Sequence, residues 1–142
     1  MNDAFVYFDN ERRGMKFILT DNYIGSENED VWLERNVDYA PENYGLIFLC
    51  SLEYSDRSYC FDTRKVWRRL SDNTLWTARD SGCSCPIAFE DTKELDRVFN
   101  IDDLWDEYKN APEYERKNVA PADWENFKSA IENALLINKE KD

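Results

Sequence analysis

The chain contains no histidine. That removes the commonest general base and the commonest metal ligand, and with them Ser-His-Asp and Cys-His hydrolase arrangements and every zinc site that needs an imidazole. Basic residues are also scarce: 18 Lys and Arg stand against 30 Asp and Glu, a formal net charge of −12. Phosphate backbones and anionic membranes repel so acidic a chain, so neither direct nucleic-acid binding nor membrane binding is expected. No run approaches the roughly 18 apolar residues of a membrane helix, and Met1-Asn2-Asp3-Ala4-Phe5 carries neither the basic nor the apolar part of a signal peptide. A cytoplasmic location follows as an expectation. There Cys50, Cys60, Cys83 and Cys85 are reduced thiols rather than a disulfide framework.

Aromatic residues, in contrast, are plentiful. With 5 Trp, 8 Tyr and 8 Phe among 142 residues, the chain can fill the core of one domain, and its mean hydropathy of −0.76 reflects a charged surface rather than disorder. The sequence predicts a single domain over 1–142, mainly β over 1–90 and mainly helical over 91–142. The fold class is α+β, a mainly antiparallel meander followed by C-terminal helices packed on it.

The β-prone runs Phe5–Phe8 and Met15–Thr20, parted by a polar segment ending in Gly14, suggest an N-terminal hairpin. Asp21–Asn43 reads as loops around one short strand. Leu46–Tyr54, Ser58–Thr63, Lys65–Leu70 and Thr74–Arg79 are rich in β-branched and aromatic residues. A three-residue loop at Tyr54-Ser55-Asp56 would set Glu53 opposite Arg57 and Cys50 opposite Cys60. Further on, Asn100 precedes the stripe Ile101, Leu104, Trp105 and Tyr108, with Asp103 three residues after this cap, which predicts a helix over 101–109. Pro121 opens a longer helix with Trp124, Phe127, Ile131, Ala134 and Leu135 on one face.

Four constellations invite a chemical reading. Asp80, Ser81, Gly82, Cys83, Ser84 and Cys85, closed by Pro86, are too small and turn-prone for a regular element. As a binding loop they would direct backbone N–H groups at an anion or at a thiolate. As a structural turn, Asp80 caps backbone N–H groups, Gly82 takes a positive φ and the cysteines bury as small apolar groups. The four cysteines together would suit a tetrahedral zinc, although one C-x-C and two single cysteines depart from the usual knuckle spacing; no metal or cofactor is expected. Arg64-Lys65-Val66-Trp67-Arg68-Arg69 interleaves cations with an aromatic residue, but alternation along a strand divides the cations between two faces, so internal ion pairs are the expected use. Finally, Asp102, Asp103, Asp106 and Glu107 stand opposite the apolar stripe of their helix. Their like charges at i, i+4 cost a few tenths of a kcal/mol, and the face would suit a partner rich in Arg and Lys. Paired-carboxylate hydrolysis has no distinguishing support, since acids this frequent fall at any spacing.

Val66-Trp67-Arg68, followed by Leu75-Trp76-Thr77-Ala78-Arg79-Asp80-Ser81-Gly82-Cys83-Ser84-Cys85-Pro86-Ile87-Ala88-Phe89-Glu90, resembles a family of small bacteriophage proteins of unknown function. That family carries a D-S-G-C-S-C-P-x-P-F-E signature. The likeness covers about a quarter of the chain, and Ala88 stands where the family commonly has a second proline. It implies a phage origin and expression in a bacterial host cytoplasm, and no particular activity. Acidic phage accessory proteins of this size are often inhibitors of host proteins, including DNA-mimicking, anti-CRISPR-like blockers of defence enzymes. The expectation is therefore a non-enzymatic protein that binds a host protein with a basic surface. The alternative is a domain that holds a small molecule, such as a signalling nucleotide, or zinc at the Cys83/Cys85 loop.

Overall fold

A computed structural model describes residues 15–25, 32–83 and 87–141, with side chains described as far as Ile137. Five antiparallel strands form one sheet in the order β1-β5-β4-β3-β2: β1 (Lys16–Ile18), β2 (Leu46–Glu53), β3 (Cys60–Arg69), β4 (Leu75–Cys83) and β5 (Glu94–Val98). The helices are α1 (Leu19–Asn22), α2 (Asp102–Lys109), α3 (Glu113–Arg116) and α4 (Pro121–Lys141). This is the α+β architecture expected from the sequence. One strand, β5, falls in the half expected to be mainly helical. It completes the sheet by pairing with both β4 and β1.

Successive residues of a strand point to opposite faces, and on β3 both faces are covered. Val66 is fully buried in a core with Leu52, Leu75, Val98, Leu104, Trp124, Phe127 and Ile131, on the side of α2 and α4. Its neighbour Trp67 is fully buried in a second core with Phe17, Val37, Tyr44, Leu46, Trp76, Phe89 and Leu95. This second layer is built from α1, two 3-10 turns (Trp32–Arg35 and Pro41–Tyr44) and the turn over 88–91. In the described part of 21–43, where loops around one short strand are expected, these turns are tied down by buried Asn36. Its side chain donates to the Ala88 carbonyl at 3.0 Å and accepts from the N–H groups of Asp38 and Tyr39.

Several local expectations need correction. Phe5–Phe8 lies outside the described residues, and β1 pairs with β5, Phe17 facing Leu95. The segments Ser58–Thr63 and Lys65–Leu70 merge into the one ten-residue strand β3. Cys50 faces Val66 and Glu53 faces Thr63, because the β2–β3 register shifts between Phe48 and Cys50 and the connection is longer than three residues. The Glu53 carboxylate holds that wider loop: it accepts from the Ser55 hydroxyl at 2.5 Å, from the Asp62 N–H at 2.7 Å and from the Thr63 hydroxyl. Arg57, at φ 66°, supplies the left-handed bend.

The helix starts are as read. Asn100 Oδ1 accepts from the Asp102 N–H at 2.8 Å, while the Asp103 carboxylate accepts from the Asn100 and Phe99 N–H groups, a reciprocal capping box. Pro121 is the first residue of α4, which buries Trp124, Phe127, Ile131 and Ala134.

Candidate functional site

β3 and β4 place two arginines on the helix-covered face. Arg79 makes a bidentate pair with Asp62 across the hairpin, at 2.7 and 2.9 Å, and also reaches Glu107 of α2 at 3.4 Å and Glu115 of α3 at 3.2 Å. Its guanidinium lies 4.2 Å from the ring centroid of Tyr54. Arg64 pairs with the same Glu107 through two nitrogens and touches the Thr77 hydroxyl at 3.4 Å. Burial pushes the Glu107 carboxyl up, but the hydrogen bond and charge of Arg64, joined by Arg79, hold it below the usual glutamate range. The network clamps α2 and α3 to the sheet. Its charges are satisfied internally, and it has the form of a structural lock.

Glu107 is therefore not part of an exposed acidic face. The outward turn of α2 consists of Asp102, Asp103 and Asp106, all exposed, with Asp103 occupied in its capping box. The cations of the Arg64–Arg69 run are used internally, as expected from strand alternation: Lys65 pairs with Asp38, Arg69 lies 3.7 Å from Asp72, and Arg68 donates to Asn73 Oδ1 at 2.6 Å.

Beside the outward turn of α2, the N-terminal half of α4 creates an aromatic groove. Tyr108 and Trp124 stack with ring centroids 4.6 Å apart and planes within 3°. Trp105 tilts against Trp124 at 5.2 Å and remains 37% exposed, whereas Trp124 is 4% exposed. The groove has a volume of about 490 Å³ and is lined also by Ile101 and Pro121, by the acidic Asp102 and Glu125 and by the basic Arg116 and Lys128. The helical spacing of Trp105 and Tyr108 marks an inward stripe, but the sequence does not reveal that Trp105 stops at the surface. That depends on where α4 crosses.

A domain-of-unknown-function family, DUF7574, matches residues 35–141. The chain belongs to this family. The DUF7574 region takes in β2 to β5, the ion-pair network and the aromatic groove, and begins after β1 and α1. No curated protein and no solved structure matches the chain.

Within the DUF7574 region, the Asp80–Cys85 segment differs from a free loop. Asp80, Ser81, Gly82 and Cys83 continue β4 and pair with Thr63, Asp62, Phe61 and Cys60. Gly82 thus lies in a strand, and the left-handed backbone falls at Phe89 instead, at φ 64°. Phe89 is held there by burial against Trp67, ring edge to ring face at 5.6 Å, and by its N–H, which donates to the Asp80 carboxylate at 2.7 Å. Asp80 does cap a backbone N–H, as the turn reading had it. Ser84, Cys85 and Pro86 lie outside the described residues. Cys83 and Cys60 are exposed rather than buried.

The described cysteines do not converge on one site. Cys50 sits opposite Val66, six positions along β3 from Cys60, a separation of about 20 Å at the rise of a strand. Burial pushes its thiol up to about 12, which suits an inert core thiol. Among the described residues no three His, Cys, Asp or Glu side chains are grouped to hold a metal.

Proposed function

We propose that this DUF7574 protein is a non-enzymatic binding protein whose target is a host protein with a basic surface, in the manner of a phage-encoded inhibitor. The observation that carries the reading is the groove between α2 and α4. Trp105, part-exposed on a stacked Tyr108–Trp124 platform, offers a rigid aromatic anchor; the exposed carboxylates of Asp102 and Glu125 line the groove beside Arg116 and Lys128, and Asp106 is exposed on the same helix as Asp102. Buried or half-buried Trp and Tyr with a charged rim is the usual make-up of an energetically important interface patch. The net charge of −12 favours encounter with a basic partner over nucleic acid, and the resemblance to small phage proteins supplies the host setting.

Affinity capture from bacterial lysate at low and moderate salt tests this. The bait is the tagged protein, run beside Trp105→Ala and an Asp102→Asn/Asp106→Asn/Glu125→Gln variant. A host protein retained by the wild type, weakened by salt and lost from both variants is the expected result. Retention of the same proteins by all three baits would remove the groove from the reading. The Asp103 carboxylate is left intact because it caps α2.

The small-molecule alternative has its own supporting observation. A cavity of about 680 Å³ lies between the Tyr54 turn, the ends of β3 and β4 and α3, lined in part by Ser55, Asp62, Ser81, Gly82 and Asn118. Binding of a nucleotide there would perturb Ser81 and Gly82 rather than Trp105, so resonance shifts during titration with cyclic and linear dinucleotides separate the two readings.

A further inference from the structure

The antiparallel register of β3 and β4 sets Cys60 directly opposite Cys83. The Arg69 N–H donates to the Thr74 carbonyl at 2.8 Å at the turn end of this hairpin, which makes 69/74 a hydrogen-bonded pair. Pairs alternate along an antiparallel ladder, and the register is unbroken from Arg68/Leu75 to Cys60/Cys83. Nine steps from 69/74, Cys60/Cys83 is therefore a non-hydrogen-bonded pair. In such pairs the Cα atoms are about 4.5 Å apart with the side chains on the same face, inside the range of about 4.4–6.8 Å that a disulfide spans. Both thiols are exposed, so a small disulfide has access to them.

We propose that Cys60 and Cys83 form a redox-modification site, closing to a cross-strand disulfide by exchange with a low-molecular-weight disulfide of the glutathione type. One thiol, as its thiolate, attacks a sulfur of the small disulfide RSSR, giving a protein–S–S–R adduct and releasing RS⁻. The facing thiolate then attacks the protein sulfur of that adduct, forming the Cys60–Cys83 bond and releasing the second RS⁻. Two thiol protons end on two RSH; the protein is oxidised by two electrons and the small disulfide reduced by two. Cys50 takes no part, being half-buried on β2 and remote from both.

The link would fix the open end of the hairpin beside the Asp62–Arg79 pair, two residues from Cys60 on β3 and four from Cys83 on β4. Its Cys60 end also lines the cavity shared with Ser81 and Gly82. A reductant returns the open form, so the state of the site follows the thiol–disulfide poise of its surroundings.

The test uses the full chain carrying Cys85→Ser, which leaves Cys83 as the only thiol in its tryptic fragment. After equilibration with reduced and oxidised glutathione, acid quench and alkylation, the fragments Ser58–Arg64 and Asp80–Lys93 should appear joined, short of their summed mass by two hydrogens. The joined species should revert with dithiothreitol, and its melting temperature should exceed that of the reduced form. Cys50, half-buried and with its thiol pushed up to about 12, should be alkylated more slowly than Cys60 and Cys83 in the folded reduced protein. Persistent reduced thiols or stable glutathione adducts at Cys60 and Cys83 under excess glutathione disulfide would overturn the proposal. So would a Cys83→Ser variant that joins Cys60 to Cys85 more readily than the Cys85→Ser protein joins Cys60 to Cys83.

Discussion

Glu107 of α2 receives both Arg64 of β3 and Arg79 of β4, so one carboxylate from a helix closes a bridge between two adjacent strands. Replacing it leaves two half-buried guanidinium groups short of a counter-charge. Glu107→Gln should lower unfolding free energy at neutral pH by about 1–3 kcal/mol, read by denaturant titration. The folded carboxyl titrates below its unfolded value, so the unfolded chain takes up the proton first as pH falls. The stabilisation is complete above about pH 4.3, the ordinary glutamate value, and declines below it. The gap between wild type and Glu107→Gln should therefore narrow as pH falls below about 4.3, and a gap constant to pH 3 would contradict the assignment.

Glu53 plays the corresponding part in the β2–β3 loop. Burial pushes its carboxyl up, while hydrogen bonds from Ser55, Thr63 and the Asp62 N–H hold it lower. Glu53→Ala should cost about 1–3 kcal/mol and raise hydrogen-exchange rates at Ser55 and Asp62 more than at Trp67. Uniform acceleration along β3 would show that the loop is not organised locally.

Gly45 ends the Pro41–Tyr44 turn at φ 68°, and a Cβ built there would meet no atom within 4 Å. Space does not decide this position, because the left-handed backbone is what an L side chain resists. Gly45→Ala should destabilise by about 1 kcal/mol in thermal melts, with the fold unchanged by circular dichroism. A neutral result would mean that the turn relaxes.

Trp105 and Trp124 touch, yet their substitutions should separate. Trp124→Ala removes a 4% exposed ring from the core and should cost about 3–5 kcal/mol. Trp105→Ala, which removes a 37% exposed ring, should cost clearly less than Trp124→Ala while abolishing capture of the proposed partner. Equal losses of stability would mark both residues as core.

Strands and long helices were legible because their signals are local: β-branched runs in β2–β4, the Asn100–Asp103 box, and Pro121 ahead of a one-sided stripe. The β2–β3 register was not, since the shift between Phe48 and Cys50 and the longer connection that Glu53 holds leave no mark in the local composition. Asp80–Cys83 contradicts its own turn-like composition because Cys60–Thr63 offers it a partner strand, and that pairing is non-local. Asp102, Asp103 and Asp106 are exposed, as the helical spacing predicts, whereas Glu107 is held by Arg64 and Arg79. The strands beneath α2 present arginines that no helical periodicity reveals.

Val66 and Trp67 are consecutive in the chain but belong to different cores. Peeling the helical layer from the sheet would wet Val66, and stripping the 3-10 layer would wet Trp67, so either event loosens the strand on which the other layer rests. The sheet is a shared wall, and the two layers should melt as one cooperative unit: a single calorimetric peak whose van't Hoff and calorimetric enthalpies agree.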